Sequence, residues 1–278
     1  MATPEDIRGH YVKVDGTRTF YDEIGDGTPL VCIHTAGACS LEYQYALPLY
    51  AEHGFHAYAL DLPGHSRSYP VGWAPHRTIH AHAEFVHAFI ETLALERPVV
   101  TGCSIGGDIT FDYAVHHWRE MAAGIPMEGL GRSPTFPLPS HLMHPSWGPG
   151  WQDQMERAAI ESLNRGCSPE MIEELRWQHR NAQVSAVGDL EGWSQHDVLE
   201  RLGEVECPML VIRGEDDFWV PKELIDESAA ALPRGEAVHL PKIGHYPMFE
   251  APQLTADLAA DFCRGHGILE ASTAASVA

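Results

Sequence analysis

The sequence predicts an α/β fold: a mostly parallel sheet flanked by helices, with a helical cap inserted after the sixth strand. Three observations support this prediction. Short apolar runs alternate with longer helical patterns along most of the 278 residues, which is typical of strand, helix, strand units in a parallel sheet. A hairpin pattern precedes this alternation, and one long interruption follows residue 130. We therefore expect one core domain that contains one insertion.

The strands are predicted from apolar runs bounded by turn residues. The first two, 11–14 and 19–24, flank the tight-turn pair Asp15-Gly16 and indicate an antiparallel edge. Six further runs follow along the chain: 29–33, 57–60, 99–102, 121–127, 209–213 and 237–240. Together these runs predict an eight-stranded sheet.

The helices are predicted from the stretches between these runs, which are long enough to cover a sheet face. In the core they are 42–53, 78–95, 105–118, 221–232 and 252–264. The interruption is rich in Pro, Gly and Trp and then shows three helical patterns, 151–164, 169–181 and 184–199. The predicted organisation is a core of residues 1–130 and 201–270, a helical cap over 131–200, and a flexible tail over 271–278.

The composition narrows the classes of function. Asp and Glu outnumber Lys and Arg by 39 to 18, and the formal net charge is −21, which disfavours nucleic acids and membranes as partners. The first residues carry no leader pattern, and no apolar run is long enough to span a bilayer. Six scattered cysteines lack the spacing of a zinc site or a disulfide scaffold. We expect a cytoplasmic protein that acts on a small molecule, and assembly as a homodimer stays open.

The segment Gly102-Cys103-Ser104-Ile105-Gly106 contains the only G-x-S-x-G of the chain, between an apolar run and a helical pattern. A serine on a sharp strand-to-helix turn needs small neighbours so that the backbone can fold tightly. The helix N-terminus behind it offers backbone N–H groups to a developing oxyanion. An incidental serine in a glycine-bounded turn is the alternative, because short motifs also recur by chance.

Two later loops carry the residue types that a serine nucleophile needs. Asp217 lies in the loop after the run 209–213, and His245 lies in a glycine-flanked loop before the last helix. A serine hydroxyl is a weak nucleophile at neutral pH, so an imidazole must accept its proton and a carboxylate must orient that imidazole. The order Ser, Asp, His, each on a loop after a strand, favours catalysis over three unrelated residues.

With these pieces in order, the sequence resembles the α/β-hydrolase superfamily, and within it the serine-nucleophile esterases, lactonases and C–C bond hydrolases. The resemblance rests on I-H-T-A-G, D-L-P-G-H-S-R-S, G-C-S-I-G-G, G-E-D-D-F-W-V-P and G-H-Y-P. It implies the α/β-hydrolase fold, with Ser104 as the nucleophile, His245 as the base and Asp217 as the acid. Glu128, at the end of the strand before the cap, is the alternative acid, since some relatives carry their acid there.

The resemblance also implies an oxyanion hole formed by the backbone N–H groups of Ile105 and Ala36. Relatives usually have glycine where this chain has Thr35, so we expect the loop of residues 34–38 to take a different backbone path. No cofactor is expected, because the nucleophile, the proton shuttle and the oxyanion donors all come from the chain.

A histidine-rich helical pattern has two interpretations, and metal binding is the more specific of them. His80, His82, Glu84 and His87 lie close together in the sequence, but no H-E-x-x-H motif is present and the histidines of an H-x-H pair diverge on a helix. A solvated helix face, or packing against the cap, also explains them. We therefore expect no metal.

Aromatic residues around the predicted site indicate an apolar pocket. The candidate substrate-binding residues are Thr35, Trp147, Trp151, Trp177, Trp219 and Tyr246. The alternative for each tryptophan of the cap is a side chain that only packs on the core. As a group they favour an ester or lactone of a small hydrophobic or aromatic substrate.

Other functions fit the same residues. Hydrolysis of a C–C bond is the first alternative, although such relatives usually carry tryptophan where this chain has Tyr246. Acyl transfer needs only a different acceptor. A non-catalytic ligand-binding protein on the same fold is the alternative of another class, and it is disfavoured because all three triad residue types are present.

Overall fold

The computed structural model describes residues 2–69, 76–134, 151–181 and 185–270. Within these ranges the sheet has eight strands: β1 (Arg8–Val14), β2 (Thr17–Ile24), β3 (Thr28–Ile33), β4 (Phe55–Leu60), β5 (Val99–Cys103), β6 (Ala123–Met127), β7 (Met209–Gly214) and β8 (Gly235–Leu240). Their order across the sheet is β1-β2-β4-β3-β5-β6-β7-β8. The predicted α/β fold with an eight-stranded sheet is therefore confirmed.

The strand directions agree with the predicted antiparallel edge. Strand β2 pairs antiparallel with β1, in a register that runs from Arg8 opposite Glu23 to Val14 opposite Thr17, and it also pairs antiparallel with β4. The pairs from β4 through β8 are all parallel. The carboxyl ends of β3, β5, β6, β7 and β8 consequently lie at one edge of the sheet, where ligand sites of open α/β sheets form.

Helices cover the sheet, and their bounds are α1 (Ala46–Glu52), α2 (Ile79–Thr92), α3 (Ile105–His117), α4 (Trp151–Glu161), α5 (Pro169–Arg180), α6 (Ala186–Trp193), α7 (Lys222–Ala231), α8 (Pro247–Glu250) and α9 (Pro252–Gly265). Helices α4 to α6 lie between β6 and β7, at the place in the chain where the insertion is predicted. Among the described residues no helix is both long and apolar enough to span a membrane.

The core consists of two large apolar clusters. Val31 and Ile33 of β3 belong to the cluster that also contains residues of α2, α3 and α7, whereas Leu30 and Cys32 belong to the cluster with residues of α1 and α9. Successive side chains of a strand point to opposite faces, so the two clusters fill the two faces of the sheet. This explains why the parallel strands are continuous apolar runs in the sequence.

Most predicted helices lose a few residues at their ends, and two are much shorter in the structure. The helix predicted over 42–53 begins at Ala46, because Glu42 and Tyr43 turn inward and bond to the backbone around the end of β3. The pattern over 184–199 ends its helix at Trp193. Beyond that point Val198 donates to the carbonyl of Gly131 at 2.7 Å, and this pairing of the chain with the segment after β6 is incompatible with a continuing helix.

Candidate active site

Ser104 occupies a sharp turn between β5 and α3. Its backbone has φ 58°, a left-handed conformation that a non-glycine residue seldom adopts. Two glycines permit this turn: a Cβ on Gly102 would overlap the carbonyl of Gly106, and a Cβ on Gly106 would overlap the carbonyl of Ile33 at the end of β3. The first residue of α3 is thereby brought against the end of β3.

Asp217 and His245 are joined by a short hydrogen bond. His245 Nδ1 lies 2.7 Å from Asp217 Oδ2, and both side chains are buried. Because a carboxylate accepts only, the imidazole carries its proton on Nδ1 and leaves Nε2 as an acceptor. The backbone N–H of Trp219 donates to the other carboxylate oxygen of Asp217 at 2.7 Å, which fixes the orientation of the acid.

The electrostatics of this pair follow from burial and mutual charge. Burial raises the pKa of the Asp217 carboxyl, but the charge and hydrogen bond of His245 lower it by more, and it falls to about 2. Burial lowers the pKa of His245, and the Asp217 carboxylate raises it by more, so that it lies above its usual value. Each group favours the charged form of the other.

Glu128 lies beside this pair at the end of β6. It has φ 49°, and its Oε1 accepts a hydrogen bond from the backbone N–H of Gly214. Burial and then the negative charge of Asp217 raise the pKa of Glu128 well above its usual value. The protonated form of Glu128, which can donate to Asp217, is therefore favoured, while the hydrogen bond to the His245 ring comes from Asp217.

The base loop also bonds to the segment between β6 and β7, where the insertion is predicted. The N–H of His245 donates to the carbonyl of Ser162, directly after α4, at 2.9 Å. The hydroxyl of the same serine accepts from the indole Nε1 of Trp219 at 2.6 Å. Ser162 thus bonds to both the acid loop and the base loop.

The loop of residues 34–38, here called the oxyanion loop, follows β3. The N–H of Thr35 donates to Glu42 Oε2 at 2.9 Å, and its hydroxyl donates to Glu42 Oε1 at 2.7 Å. The N–H of Gly37 donates to Asp189 Oδ2 of α6 at 3.0 Å. Between them the N–H of Ala36 donates to no group in the described part of the chain. Two buried carboxylates therefore engage the flanking amides and leave that of Ala36 available.

The second amide at this point belongs to Ile105. As the first residue of α3, its N–H has no acceptor within the helix, and both Ile105 and Ala36 line the same pocket as Ser104. The end of a helix dipole adds partial positive charge there. The two amides fit an oxyanion site with one donor from each loop.

The carboxylates that hold the oxyanion loop differ in environment. Burial raises the pKa of Glu42 to about 7, against the hydrogen bonds from Thr35 that lower it. Burial also raises the pKa of Asp189, but the charge of His65 and its hydrogen bond at 2.8 Å outweigh burial and lower the pKa below its usual range. Asp189 is consequently ionised and paired with His65.

Sequence reasoning missed both carboxylates. Glu42 was expected in the first turn of a helix, and Asp189 is one of several acids in the insertion. The one signal available was Thr35 in place of glycine, since a hydroxyl in that loop has to find a partner when it is buried.

A pocket of about 180 Å³ lies above the carboxyl ends of the strands. Its polar lining comprises Thr35, Ser104, Ser162, His179, His245 and Tyr246, and its apolar lining includes Ala36, Ile105, Met155, Ala159, Leu190, Trp193 and Trp219. Helices α4 to α6 supply one wall and the triad loops supply the other. The pocket is small and largely apolar, and the Ser104 side chain is part of its lining.

The predicted substrate-binding residues separate into three groups. Thr35, Trp219 and Tyr246 line this pocket. Trp177 does not, because its side chain points outward from α5 and is 72% exposed. Trp147 and the side chain of Trp151 lie outside the described part of the chain. Trp193, at the end of α6, lines the pocket although it was not among the candidates.

The histidines of α2 fall into different environments. His82 is buried with its Nε2 3.2 Å from Asp189 Oδ1. His80 pairs with Asp112 at 2.8 Å, and the ring of His87 stacks on His117 at 3.8 Å. Within the described ranges, three groups could each offer a metal three ligand atoms: His80, Asp112 and His116; His87, His117 and Glu120; and Glu128, Asp217 and His245. The last is the acid-base cluster, and the expected absence of a metal stays a prediction.

The fold and this pocket together define a class of protein, the enzymes of the α/β-hydrolase fold. The Alpha/beta hydrolase family matches residues 30–258, which is most of the chain. The chain belongs to this family.

Two relatives that match across most of the chain carry names of hydrolases. A bifunctional esterase/perhydrolase of Acinetobacter calcoaceticus is 26% identical over 91% of this chain and 98% of its own length. A 2-hydroxy-6-oxo-6-phenylhexa-2,4-dienoate hydrolase of Comamonas testosteroni is 26% identical over 88% and 90%, respectively.

Solved structures show the same fold at lower identity. A thermophilic esterase from Thermogutta terrifontis superposes with a TM-score of 0.82 at 20% identity, over 93% of this chain and 99% of that one. The enol-lactonase from Burkholderia xenovorans gives 0.81 at 18% identity, over 92% and 100%. These likenesses concern the fold alone.

Proposed function

We propose that the protein is a serine hydrolase that cleaves an ester or lactone of a small hydrophobic or aromatic substrate through an acyl-enzyme on Ser104. One observation carries the proposal: a single pocket is lined by Ser104, by His245, whose ring is paired with Asp217, and by Ala36 and Ile105, whose amides have no acceptor among the described residues. A relative named as a bifunctional esterase/perhydrolase supports it.

The first half of the reaction forms the acyl-enzyme. Ser104 Oγ attacks the ester carbonyl carbon while His245 Nε2 accepts the hydroxyl proton, and Asp217 stabilises the imidazolium that results. The negative charge on the carbonyl oxygen is taken up by the N–H groups of Ala36 and Ile105. When the tetrahedral intermediate collapses, His245 returns the proton to the leaving alkoxide, and the alcohol departs.

The second half repeats these steps with water. His245 removes a proton from a water molecule that attacks the acyl carbon, and the same two amides donate hydrogen bonds to the oxyanion. Collapse breaks the bond to Ser104 Oγ, which recovers its proton from His245, and the carboxylic acid is released. For a lactone, alcohol and acid leave as one hydroxy acid.

The pocket limits the size of the substrate. Its volume of about 180 Å³ is below the range of about 300–1,000 Å³ for drug-sized ligands. Apolar side chains from α4 and α6 form much of the lining. A short acyl chain or a single ring therefore fits better than a long-chain lipid.

The proposal is tested by covalent labelling and an ester series. A fluorophosphonate should modify Ser104, as located by mass spectrometry, and chromogenic esters of increasing acyl length should show an optimum at short chains. The Ser104→Ala variant should lose about 10⁴-fold or more in kcat. Absence of label on Ser104 in folded protein would instead favour a binding protein on the same fold.

The choice of acid is tested by a pair of isosteric variants. Asp217→Asn should lower kcat by about 10³- to 10⁴-fold, because the amide fixes the wrong tautomer of His245. Glu128→Gln should lower kcat less than about tenfold, because a protonated acid and an amide are both neutral donors to Asp217. A large loss only in Glu128→Gln, with folding verified by circular dichroism, would reverse the assignment.

Hydrolysis of a C–C bond is the second candidate function. The relative named as a dienoate hydrolase matches 88% of this chain, and the same triad would serve. Tyr246 follows the base where such enzymes usually have tryptophan. Steady-state rates on a ring-cleavage dienone and on an aryl ester of similar size separate the two candidates, and we expect the ester to be preferred.

A further inference from the structure

His179 is a buried polar residue of the pocket that the proposed triad chemistry does not use. It lies near the end of α5, is 1% exposed, and lines the cavity together with Ser104. Its ring packs edge to face on Tyr246, with centroids 5.7 Å apart, and Tyr246 packs the same way on His245 at 5.2 Å. The ring of Tyr246 thus contacts both His179 and the base, His245.

The tautomer of His179 follows from its single hydrogen bond. Nδ1 lies 3.2 Å from the backbone carbonyl of Leu175, one turn earlier in α5. A carbonyl only accepts, so Nδ1 carries the proton. Burial, together with the positive charge of His245, lowers the pKa of His179 to about 4, although the hydrogen bond that Nδ1 donates to the Leu175 carbonyl raises it. The ring is neutral, and Nε2 is left with a lone pair.

No donor in the described part of the chain reaches this lone pair. Glu42 Oε1 lies 3.6 Å from Nε2, beyond hydrogen-bond distance. Both oxygens of Glu42 already accept from Thr35. Buried acceptors nearly always find a partner, and the side of His179 that faces the cavity is where a ligand can supply one.

We propose that His179 Nε2 accepts a hydrogen bond from a hydroxyl group of the substrate, so that the preferred substrates are hydroxy-substituted esters or lactones with an otherwise apolar skeleton. The inference rests on the proposed function, since it takes the pocket to be the substrate site. Met155, Ala159 and Leu190 surround the rest of the cavity with apolar surface. A single donor on a small apolar molecule matches this lining.

The test compares matched substrates. Aryl esters of butanoic acid and of 2-hydroxy- and 3-hydroxybutanoic acid differ by one hydroxyl group, and the readout is the ratio of kcat/KM for a hydroxy ester to that for the plain ester. In the wild-type protein we expect one hydroxy ester to be preferred by about tenfold, which is the value of one good hydrogen bond. Ratios close to one for both hydroxy esters in the wild type would overturn the inference.

Variants assign the preference to His179. His179→Leu removes the acceptor and should abolish the preference, whereas His179→Gln keeps an amide oxygen and should restore part of it. Trp177→Leu, on the exposed side of the same helix, is the matched control and should leave the ratio unchanged. A preference that survives His179→Leu would also overturn the inference.

A binding experiment separates this inference from the proposed function. Calorimetry of the intact hydroxy and plain esters with Ser104→Ala reports affinity without turnover. Tighter binding of a hydroxy ester that disappears in the Ser104→Ala/His179→Leu double variant supports the role of His179 even if esterase activity is absent. Ester turnover that depends on Ser104 but ignores the hydroxyl group retains the proposed function and rejects this inference.

Discussion

The two loops that meet at the oxyanion site are built in different ways. The turn around Ser104 depends on backbone packing among residues 102–106 and the end of β3, where only glycine fits at two positions. The oxyanion loop, by contrast, depends on side chains: Glu42, seven residues from Thr35, and Asp189, 152 residues from Gly37. One donor of the same site is thus positioned by backbone sterics and the other by hydrogen bonds to side chains.

This difference determines how each loop responds to substitution. The turn cannot accommodate an added Cβ, because backbone atoms of β3 cannot move without disturbing the sheet. A hydrogen bond can be replaced by another acceptor of similar shape. We therefore expect conservative substitutions to be tolerated in the oxyanion loop's partners and not in the glycines of the turn.

The largest effect is expected at Gly106. In Gly106→Ala the added methyl group would overlap the carbonyl of Ile33, which displaces the start of α3 and with it both Ser104 and Ile105. We expect kcat to fall by about 10³-fold and the free energy of unfolding by about 1–3 kcal/mol. Thermal unfolding and ester kinetics measure both effects.

The control for that variant is Gly203→Ala, a position where the added methyl group meets no atom. It should change neither quantity appreciably. Near-normal activity of Gly106→Ala would mean that the turn adapts, and the contrast between the loops would not hold.

An intermediate effect is expected at Glu42. Glu42→Ala leaves the N–H and hydroxyl of Thr35 without their acceptor, so that the Ala36 amide loses its fixed direction, and kcat should fall by about 10²-fold with a smaller change in KM. Glu42→Gln can accept from the N–H and donate to the hydroxyl, and it should restore most of kcat. Equal losses in both variants would indicate that the charge of Glu42, rather than its shape, supports the reaction.

A smaller effect is expected at Asp189. Asp189→Asn keeps an oxygen for the Gly37 amide but loses the charge that pairs with His65. We expect kcat to fall by about tenfold. The pKa of His65, which is raised in the folded protein despite the opposing effect of burial because Asp189 lies beside it, should fall when followed by NMR. An unchanged His65 titration would show that the ion pair is not formed in solution.

The smallest effect concerns stability against pH. Burial raises the pKa of Glu42 to about 7 in the folded state, above its value in the unfolded chain. The folded state then binds the proton more tightly, so the contribution of this group to stability is full below about pH 4 and is lost as the pH rises through about 7.

Glu42→Gln removes this titration. The Tm of the variant minus that of the wild type should therefore be a few degrees higher at pH 8 than at pH 5. Calorimetry at the two pH values measures this difference. A constant difference in Tm across this range would mean that Glu42 does not titrate there.

The sequence alone predicts the parts of the molecule that rest on local patterns. The eight strands follow from apolar runs, and the placement of Ser104 follows from the glycines on either side of it. The loops of Asp217 and His245 were predictable because each follows a parallel strand, whose carboxyl ends share one edge of the sheet. The spacing of apolar residues and the residue types of the turns are sufficient to predict these features.

Contacts between distant segments could not be read in the same way. That Trp193 lines the pocket and Trp177 faces solvent depends on how α5 and α6 are rotated against the core, and their sequences show no difference that would reveal it. The early end of α6 depends on pairing with Gly131, more than sixty residues away. The roles of Glu42 and Asp189 likewise depend on which amides they meet.

Ser162 has a consequence for engineering this enzyme. Its carbonyl and hydroxyl accept from the loops that carry His245 and Asp217, and Asp189 of the same insertion accepts from Gly37. Grafting the insertion of a relative onto this core to change specificity would exchange these acceptors together with the pocket wall. A functional chimera therefore has to retain the end of α4 and the Asp189 position, and libraries that vary only the lining between them are the better starting point.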